Sequence, residues 1–367
     1  MIPFLELKPG YLEIQTEIDQ AVARVLASGW YILGPEVEAF EHDFAASVGA
    51  AHCVGLGNGL DALVLALRAL DIGPGDEVIV PSNTYIACWL AVSQVGATPV
   101  PVEPDPATHC IDARLVEASI TPRTRAVMAV HLYGCPADLD ALGAVCDRHG
   151  LRLVEDAAQA HGAAWGTRRI GNGRDIVAWS FYPGKNLGAL GDAGAVTTHD
   201  AALAERITTL RNYGSAQKYV NLEKGINSRL DPLQAAVLAV KLKHLEAWNA
   251  RREAIAECYT ARLAGLPLLG LPSSPAGARH AWHVYVVTSD RRDALQAHLA
   301  QAGIGTLIHY PTPPFRQQAY GEFAARAAQW PLAEQLAREV LSLPMGPHLS
   351  LAQANAVADA VIAFHRR

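Results

Sequence analysis

Short runs of Val, Ile and Leu alternate with longer helical segments over the first two thirds of the chain. Runs that are apolar at nearly every position are typical of strands buried on both faces of a sheet. We therefore predict seven strands, at His52–Gly55, Glu77–Val80, Pro99–Val102, Ala126–Val130, Leu151–Glu155, Val177–Phe181 and Gly194–Thr197. Helices are predicted between several of them, for example at Leu60–Ala69, Ile86–Val95 and Leu139–Arg148. This alternation predicts an α/β fold whose mostly parallel sheet is covered by helices.

The last third of the chain has a different pattern. Asp231-Pro232 opens a long helical segment, because Asp is a favoured N-cap and Pro is tolerated in the first turn. After a stretch rich in Pro, Gly and Ser, the pattern predicts a strand at Trp282–Val287, a helix at Arg291–Ala302 capped by Asp290, a strand at Gly305–His309 and a helix at Leu351–Phe364. We therefore predict a large domain (1–230), a connecting helix (231–264) and a small α+β domain (265–367).

The composition is that of an ordinary globular protein of 367 residues, with 50% apolar residues, 18% charged residues and a net charge of −6. No basic stripe indicates nucleic-acid binding, and no run approaches the ~18 apolar residues of a membrane span. The six cysteines are scattered, without metal-ligand spacing. They are therefore interpreted as reduced thiols of a cytoplasmic protein, and no metal site is expected.

Lys185 is a candidate for covalent chemistry. It follows the predicted strand Val177–Phe181 and lies in the glycine-rich loop SFYPGKNLG. Glycines let the backbone approach a ligand closely. A lysine in a partly desolvated pocket loses its proton readily, as a Schiff-base nucleophile requires. An isolated lysine is more often a solvated surface charge, so the prediction depends on this context.

Asp156 is a second candidate, at the end of another predicted strand. A carboxylate beside the pyridine nitrogen of pyridoxal 5′-phosphate (PLP) keeps the ring protonated, so that the ring accepts carbanion electrons. Alone, Asp156 is better interpreted as a helix cap or a salt-bridged loop carboxylate, but together with Ser180 and Lys185 it favours PLP chemistry. The turn Gly55–Leu63 offers helix N-terminal amides for a phosphate. It lacks the third glycine of a dinucleotide fingerprint and is equally consistent with a structural turn.

Five segments together resemble the DegT/DnrJ/EryC1/StrS aminotransferases: GNGLDAL, VEDAAQAHGA, SFYPGKNLGALGDAGAV, LRNYGS and GINSRLDPLQAAVL. The resemblance extends in order from PFLELK to IGTLIHYP, over nearly the whole chain. It implies a fold-type I PLP-dependent transferase, similar to aspartate aminotransferase, that works as a cytoplasmic homodimer with a shared active site. Such enzymes aminate nucleotide-linked keto sugars with L-glutamate and alternate between PLP and pyridoxamine 5′-phosphate.

The resemblance also implies roles for individual residues. Lys185 would bind PLP covalently and transfer the proton, while Asp156 would pair with the pyridine nitrogen. The other cofactor contacts implied are Gly59, Leu60, Asp61, Tyr85, Gln159, Ser180 and, from the partner subunit, Asn227. Substrate contacts are implied for Tyr182, Lys218, Tyr219, His309 and Tyr310. Many family members carry threonine in place of Leu60, so only an amide contact to the phosphate is implied at that position.

Several alternatives stay open. Tyr85 alone is equally consistent with a core aromatic, Lys218 and Tyr219 with an exposed loop, and His309-Tyr310 with a strand end and turn. RNYGS followed by QKY resembles the branch that aminates C-3 of dTDP-3-keto-6-deoxyhexoses, for surface-polysaccharide (O-antigen or S-layer) or antibiotic sugars. A C-4 aminotransferase acting on a dTDP- or GDP-4-keto-6-deoxy sugar is the main alternative. A regulator that keeps the fold and a plain NAD(P)-binding protein are disfavoured, the second because its glycine fingerprint is incomplete.

Overall fold

The computed structural model describes residues 1–366. Its helices are α1 (Lys8–Glu13), α2 (Gln15–Ser28), α3 (Pro35–Val48), α4 (Gly59–Ala69), α5 (Ala87–Gln94), α6 (Ala113–Val116), α7 (Leu139–His149), α8 (Ala201–Leu210), α9 (Pro232–Leu263), α10 (Arg292–Gln301), α11 (Pro331–Glu339) and α12 (Leu351–His365). Its strands are β1 (His52–Leu56), β2 (Glu77–Pro81), β3 (Thr98–Val102), β4 (Thr124–Val130), β5 (Arg152–Asp156), β6 (Ala164–Trp165), β7 (Arg168–Arg169), β8 (Ile176–Ser180), β9 (Gly194–Thr198), β10 (Ser215–Gln217), β11 (Val220–Asn221), β12 (Leu269–Gly270), β13 (Ala278–Arg279), β14 (Tyr285–Ser289) and β15 (Val340–Leu343). Short 3₁₀ segments lie at Glu117–Ser119, Leu132–Gly134, Pro314–Arg316 and Gln318–Gln329.

A seven-stranded sheet in the order β1-β9-β8-β5-β4-β2-β3 forms the centre of the fold. Neighbouring strands from β8 to β3 are parallel, whereas β9 runs antiparallel to both β8 and β1. All seven predicted strands are confirmed, each within two residues of its predicted bounds. Val78, Ile79 and Val80 of β2 are fully buried, which explains why these strands are apolar at consecutive positions.

Helix caps fix where the covering helices begin and end. The Asp231 side chain accepts a hydrogen bond from the Gln234 amide, and Pro232 occupies the first turn of α9, as predicted. Helix α7 ends at Gly150, whose φ of +64° is favourable for glycine. Among residues 1–366, no helix is both long enough and apolar enough to cross a membrane.

A second core lies between the end of α9, α10, α12 and the small sheet β12-β14-β15. Its fully buried side chains include Tyr259, Tyr285, Leu341 and Val357. Phe315, Phe323 and Trp330 do not join this second core but pack into the larger one around the seven-stranded sheet. The division of the chain into parts 1–230, 231–264 and 265–367 stays a prediction.

Three expectations for the C-terminal region are wrong. The segment Gly305–His309 forms no strand, because only Leu307 pairs, through an isolated antiparallel bridge to Ser342 of β15. Asp290 does not cap α10: the N-cap residue is Arg291, whose amide donates to the Ser289 hydroxyl. The strand predicted from Trp282 begins only at Tyr285, since the φ of +47° at Trp282 is incompatible with an extended chain.

Candidate active site

The carboxyl ends of the parallel strands open into a cavity of about 940 Å³. Asn58 follows β1, Thr84 follows β2, Asp156 ends β5 and Ser180 ends β8. Predicted site residues that line the cavity are Gly59, Leu60, Tyr85, Asp156, Gln159, Ser180, Tyr182, Lys185, His309 and Tyr310. This edge of the sheet is where ligands of open α/β folds bind.

Lys185 reaches the cavity from a tight turn after β8, in which its amide donates to the Tyr182 carbonyl at 2.8 Å. Burial lowers the pKa of Lys185 from 10.5 to about 8, against the opposing effect of the Asp156 carboxylate. Loss of a proton near neutral pH makes the amine a nucleophile. The position and the lowered pKa both suit a lysine that forms a Schiff base.

Asp156 faces the same cavity and is 8% exposed. Its Oδ1 accepts from the Ala158 amide at 3.0 Å, and its Oδ2 accepts from the Cys88 thiol at 3.0 Å. These partners among residues 1–366 are uncharged, so the buried carboxylate gains hydrogen bonds but no neutralising charge from them. A protonated pyridine ring would supply that charge, and the carboxylate therefore fits PLP.

The N-terminus of α4 offers a place for a phosphate group. The Asn58 side chain caps this helix by accepting from the Asp61 amide at 2.8 Å. That amide is therefore engaged within the protein, and Asp61 lies outside the cavity lining. A Cβ on Gly59 would stand 2.6 Å from Ser180 Cβ, so only glycine permits this close approach. The amides of Gly59 and Leu60 and the Ser180 hydroxyl fit a phosphate.

Two hydrogen bonds join the floor of the cavity to the His309–Tyr310 segment above it. Gln159 Nε2 donates to the Tyr310 hydroxyl at 3.0 Å, and the Tyr133 hydroxyl donates to the His309 carbonyl. Gln159 Oε1 in turn accepts from the Tyr133 amide at 2.5 Å. The Tyr85 ring is 53% exposed, with its centroid 5.2 Å from that of Tyr310. Tyr85 and Tyr310 thus line the same cavity as Lys185 and Asp156.

Besides Asp61, three predicted residues do not reach this cavity in one chain. Lys218 and Tyr219 lie in the turn of the β10-β11 hairpin, where Tyr219 is 88% exposed and Lys218 Nζ lies 5.2 Å from its ring centroid. Asn227 pairs with Asn212 in an isolated bridge and does not line the cavity. A role for them in a site therefore requires the cavity of another copy.

Sequence reasoning missed Tyr133, Cys88 and Thr84. Tyr133 is buried and has a φ of +64°, in the HLYG segment after β4. Cys88 lies four residues after Thr84, one helical turn away, in the same NTYIAC segment that supplied Tyr85. The spacing of Thr84 and Cys88 is visible in the sequence. The contacts that these residues make with parts of the chain far away in sequence are not.

Comparison with known proteins gives consistent findings. The model of the DegT/DnrJ/EryC1/StrS aminotransferase family matches residues 12–362. The chain is 59% identical over 362 residues to the erythromycin biosynthesis sensory transduction protein EryC1 of Saccharopolyspora erythraea, covering 99% of this chain and 98% of that one. It is 58% identical over 360 residues to the dTDP-3-amino-3,4,6-trideoxy-alpha-D-glucose transaminase of Streptomyces venezuelae, covering 98% and 95%. The crystal structure of S. venezuelae DesV in complex with a ketimine intermediate is 58% identical, with a TM-score of 0.99 over 100% of this chain and 99% of that chain.

Proposed function

Because the chain belongs to the DegT/DnrJ/EryC1/StrS aminotransferase family, we propose that it moves an amino group from L-glutamate to C-3 of a dTDP-3-keto-6-deoxyhexose, with PLP as cofactor. The product is a dTDP-3-amino-3,6-dideoxyhexose. The predicted fold-type I architecture is confirmed by the seven-stranded sheet and by the likeness to DesV. The observation that carries the proposal is the meeting of Lys185 and Asp156 in one large cavity.

Each residue of the cavity has a proposed task. When bound, PLP supplies an electron sink for the carbanion formed at the α carbon of the amino donor. Lys185, whose pKa is lowered to about 8, attaches the cofactor and carries the proton on Nζ. Asp156 would pair with the pyridine nitrogen and favour its protonated form, and Tyr85 would pack against the ring. Gln159 lines the cavity with Asp156 and holds Tyr310 in place through its hydrogen bond to the Tyr310 hydroxyl.

The C-3 and dTDP parts of the proposal are supported by the S. venezuelae relative, whose name specifies a dTDP-3-amino sugar. An assay of 2-oxoglutarate formation from L-glutamate and dTDP-3-keto-6-deoxyhexose tests the whole proposal. Sugar-dependent 2-oxoglutarate with a matching amino-sugar mass is the expected result, and absence of both products would contradict it.

A homodimer with a shared site is proposed as the working unit. The β10-β11 hairpin carries exposed apolar side chains, with Tyr219 88%, Leu222 68% and Val220 47% exposed. Contiguous exposed apolar side chains are typical of a subunit interface. In this arrangement, Lys218, Tyr219 and Asn227 enter the partner's cavity. The six free cysteines support a cytoplasmic location for this dimer.

Lys218→Ala is expected to raise the KM for the nucleotide sugar about tenfold, because one charge-assisted hydrogen bond to the diphosphate is lost. The KM for L-glutamate should stay within about twofold, since the lost contact is to the diphosphate, which L-glutamate does not have. Steady-state kinetics with each substrate varied separately measure both values. Lys224→Ala, which removes an exposed lysine three residues after β11, is the control. An unchanged sugar KM in Lys218→Ala would remove Lys218 from the site.

A further inference from the structure

Cys88 lies directly behind the carboxylate that faces the cavity. Its Sγ is 3.0 Å from Asp156 Oδ2, and the side chain is fully buried in the first turn of α5. Burial, reinforced by the negative charge of Asp156, raises the pKa of the Cys88 thiol well above its usual range. The sulfur therefore keeps its proton, and the thiol donates this proton to the carboxylate.

Thr84 completes a short chain of donors. Its Oγ1 lies 3.4 Å from Cys88 Sγ. Because the single thiol proton of Cys88 points to Asp156, the Thr84 hydroxyl is left to donate to the sulfur. Hydrogen bonds arranged head to tail polarise one another, which strengthens the last of them.

The two oxygens of Asp156 thus have separate, fixed donors. The Ala158 amide holds Oδ1, and the Cys88 thiol holds Oδ2. Donors to the charged form stabilise a carboxylate in a site that is largely shielded from water. Two donors in different directions also restrict rotation of the carboxylate plane.

We propose that Cys88 is a positioning residue, whose thiol holds the Asp156 carboxylate oriented toward the pyridine nitrogen of PLP. The inference rests on the proposed function, and it adds a residue that acts through Asp156 without touching the cofactor. Sulfur chemistry plays no part, since the thiol serves only as a hydrogen-bond donor.

Cys146 provides a matched control. It is also fully buried, in α7, and its Sγ lies 3.9 Å from the Arg152 carbonyl, away from the cavity. Replacement of Cys88 or Cys146 by alanine removes the same sulfur atom from a packed interior. The two variants therefore lose similar packing, but only Cys88→Ala deprives Asp156 of a donor.

The test compares wild type, Cys88→Ala, Cys88→Ser and Cys146→Ala as full-length protein, using the PLP dissociation constant measured by absorption titration. Cys88→Ala is expected to bind PLP about tenfold more weakly, as for the loss of a hydrogen bond to a charged group. Its kcat should fall while the sugar KM holds. Cys88→Ser, which restores a donor, should bind PLP like wild type, and so should Cys146→Ala.

Wild-type affinity in Cys88→Ala would overturn the inference, and so would equal weakening in Cys88→Ser and Cys88→Ala. If Cys88→Ala does not fold, Thr84→Val replaces it. Its PLP binding is expected to weaken by about threefold, because the lost hydrogen bond is between neutral groups and acts on Asp156 only through Cys88. Wild-type PLP affinity in Thr84→Val would then overturn the inference. Failure of the wild-type protein itself to bind PLP would instead contradict the proposed function, so the two failures are distinguishable.

Discussion

Replacement of Lys185 by alanine is expected to abolish amino transfer, lowering kcat by at least about 10⁴-fold, the upper range for a positioned acid–base group. Among residues 1–366, Lys185 is the only lysine that lines the cavity. No neighbouring amine of the cavity can therefore substitute for it. The variant loses both the covalent attachment of the cofactor and the base that carries the proton. Steady-state assays of 2-oxoglutarate formation measure the effect.

Two further variants separate these causes from general charge effects. Lys185→Arg keeps the positive charge but cannot form a Schiff base, and it should be as inactive as Lys185→Ala. Lys243→Ala removes an exposed lysine of α9 and should retain wild-type kcat. Near-normal turnover by Lys185→Ala without an added amine would contradict the assigned role.

Asp156→Asn is expected to lower kcat by about 10²- to 10³-fold, as does the loss of one preorganised electrostatic contact in other enzymes. The amide keeps the shape of the carboxylate, but it no longer carries the negative charge that stabilises a protonated pyridine nitrogen. Rapid-mixing measurements of the half-reaction with L-glutamate follow the proton-transfer phase directly.

Asp156→Glu is the companion variant, because it keeps the charge and displaces it by one methylene group. It should recover part of the lost rate, whereas Asp156→Ala should recover none. Equal kcat in Asp156→Asn and wild type would show that the carboxylate charge is not used in the reaction.

The sheet was predictable because its strands are buried on both faces, which leaves consecutive apolar residues such as Val78, Ile79 and Val80. The start of α9 was predictable because its cap and first-turn proline are local features. The segment Gly305–His309 was mistaken for a strand because its sequence does not show that only Leu307 pairs with β15, which comes from a distant part of the chain. The helices α2 and α3 were not identified, although Ile18, Val25 and Phe40 are buried.

The positions of Asp156 and Ser180 were predictable in the same way, since these residues end neighbouring parallel strands. Contacts that depend on tertiary packing were not predictable. Cys88 and Asp156 are separated by 68 positions, and the Tyr133 hydroxyl reaches a carbonyl 176 positions away. Lys218, Tyr219 and Asn227 lie outside the cavity of their own chain, so their roles depend on an assembly that local sequence patterns do not describe.

The most direct test of the central claim is a visible absorption measurement. The purified, PLP-supplied protein is converted to the pyridoxamine phosphate form with L-glutamate, freed of excess donor, and mixed separately with dTDP-3-keto-6-deoxyhexose and its 4-keto isomer. We predict that the visible band of the PLP form returns with the 3-keto sugar alone. Its return with the 4-keto sugar alone, or the absence of any cofactor band after PLP is supplied, would contradict the proposed function.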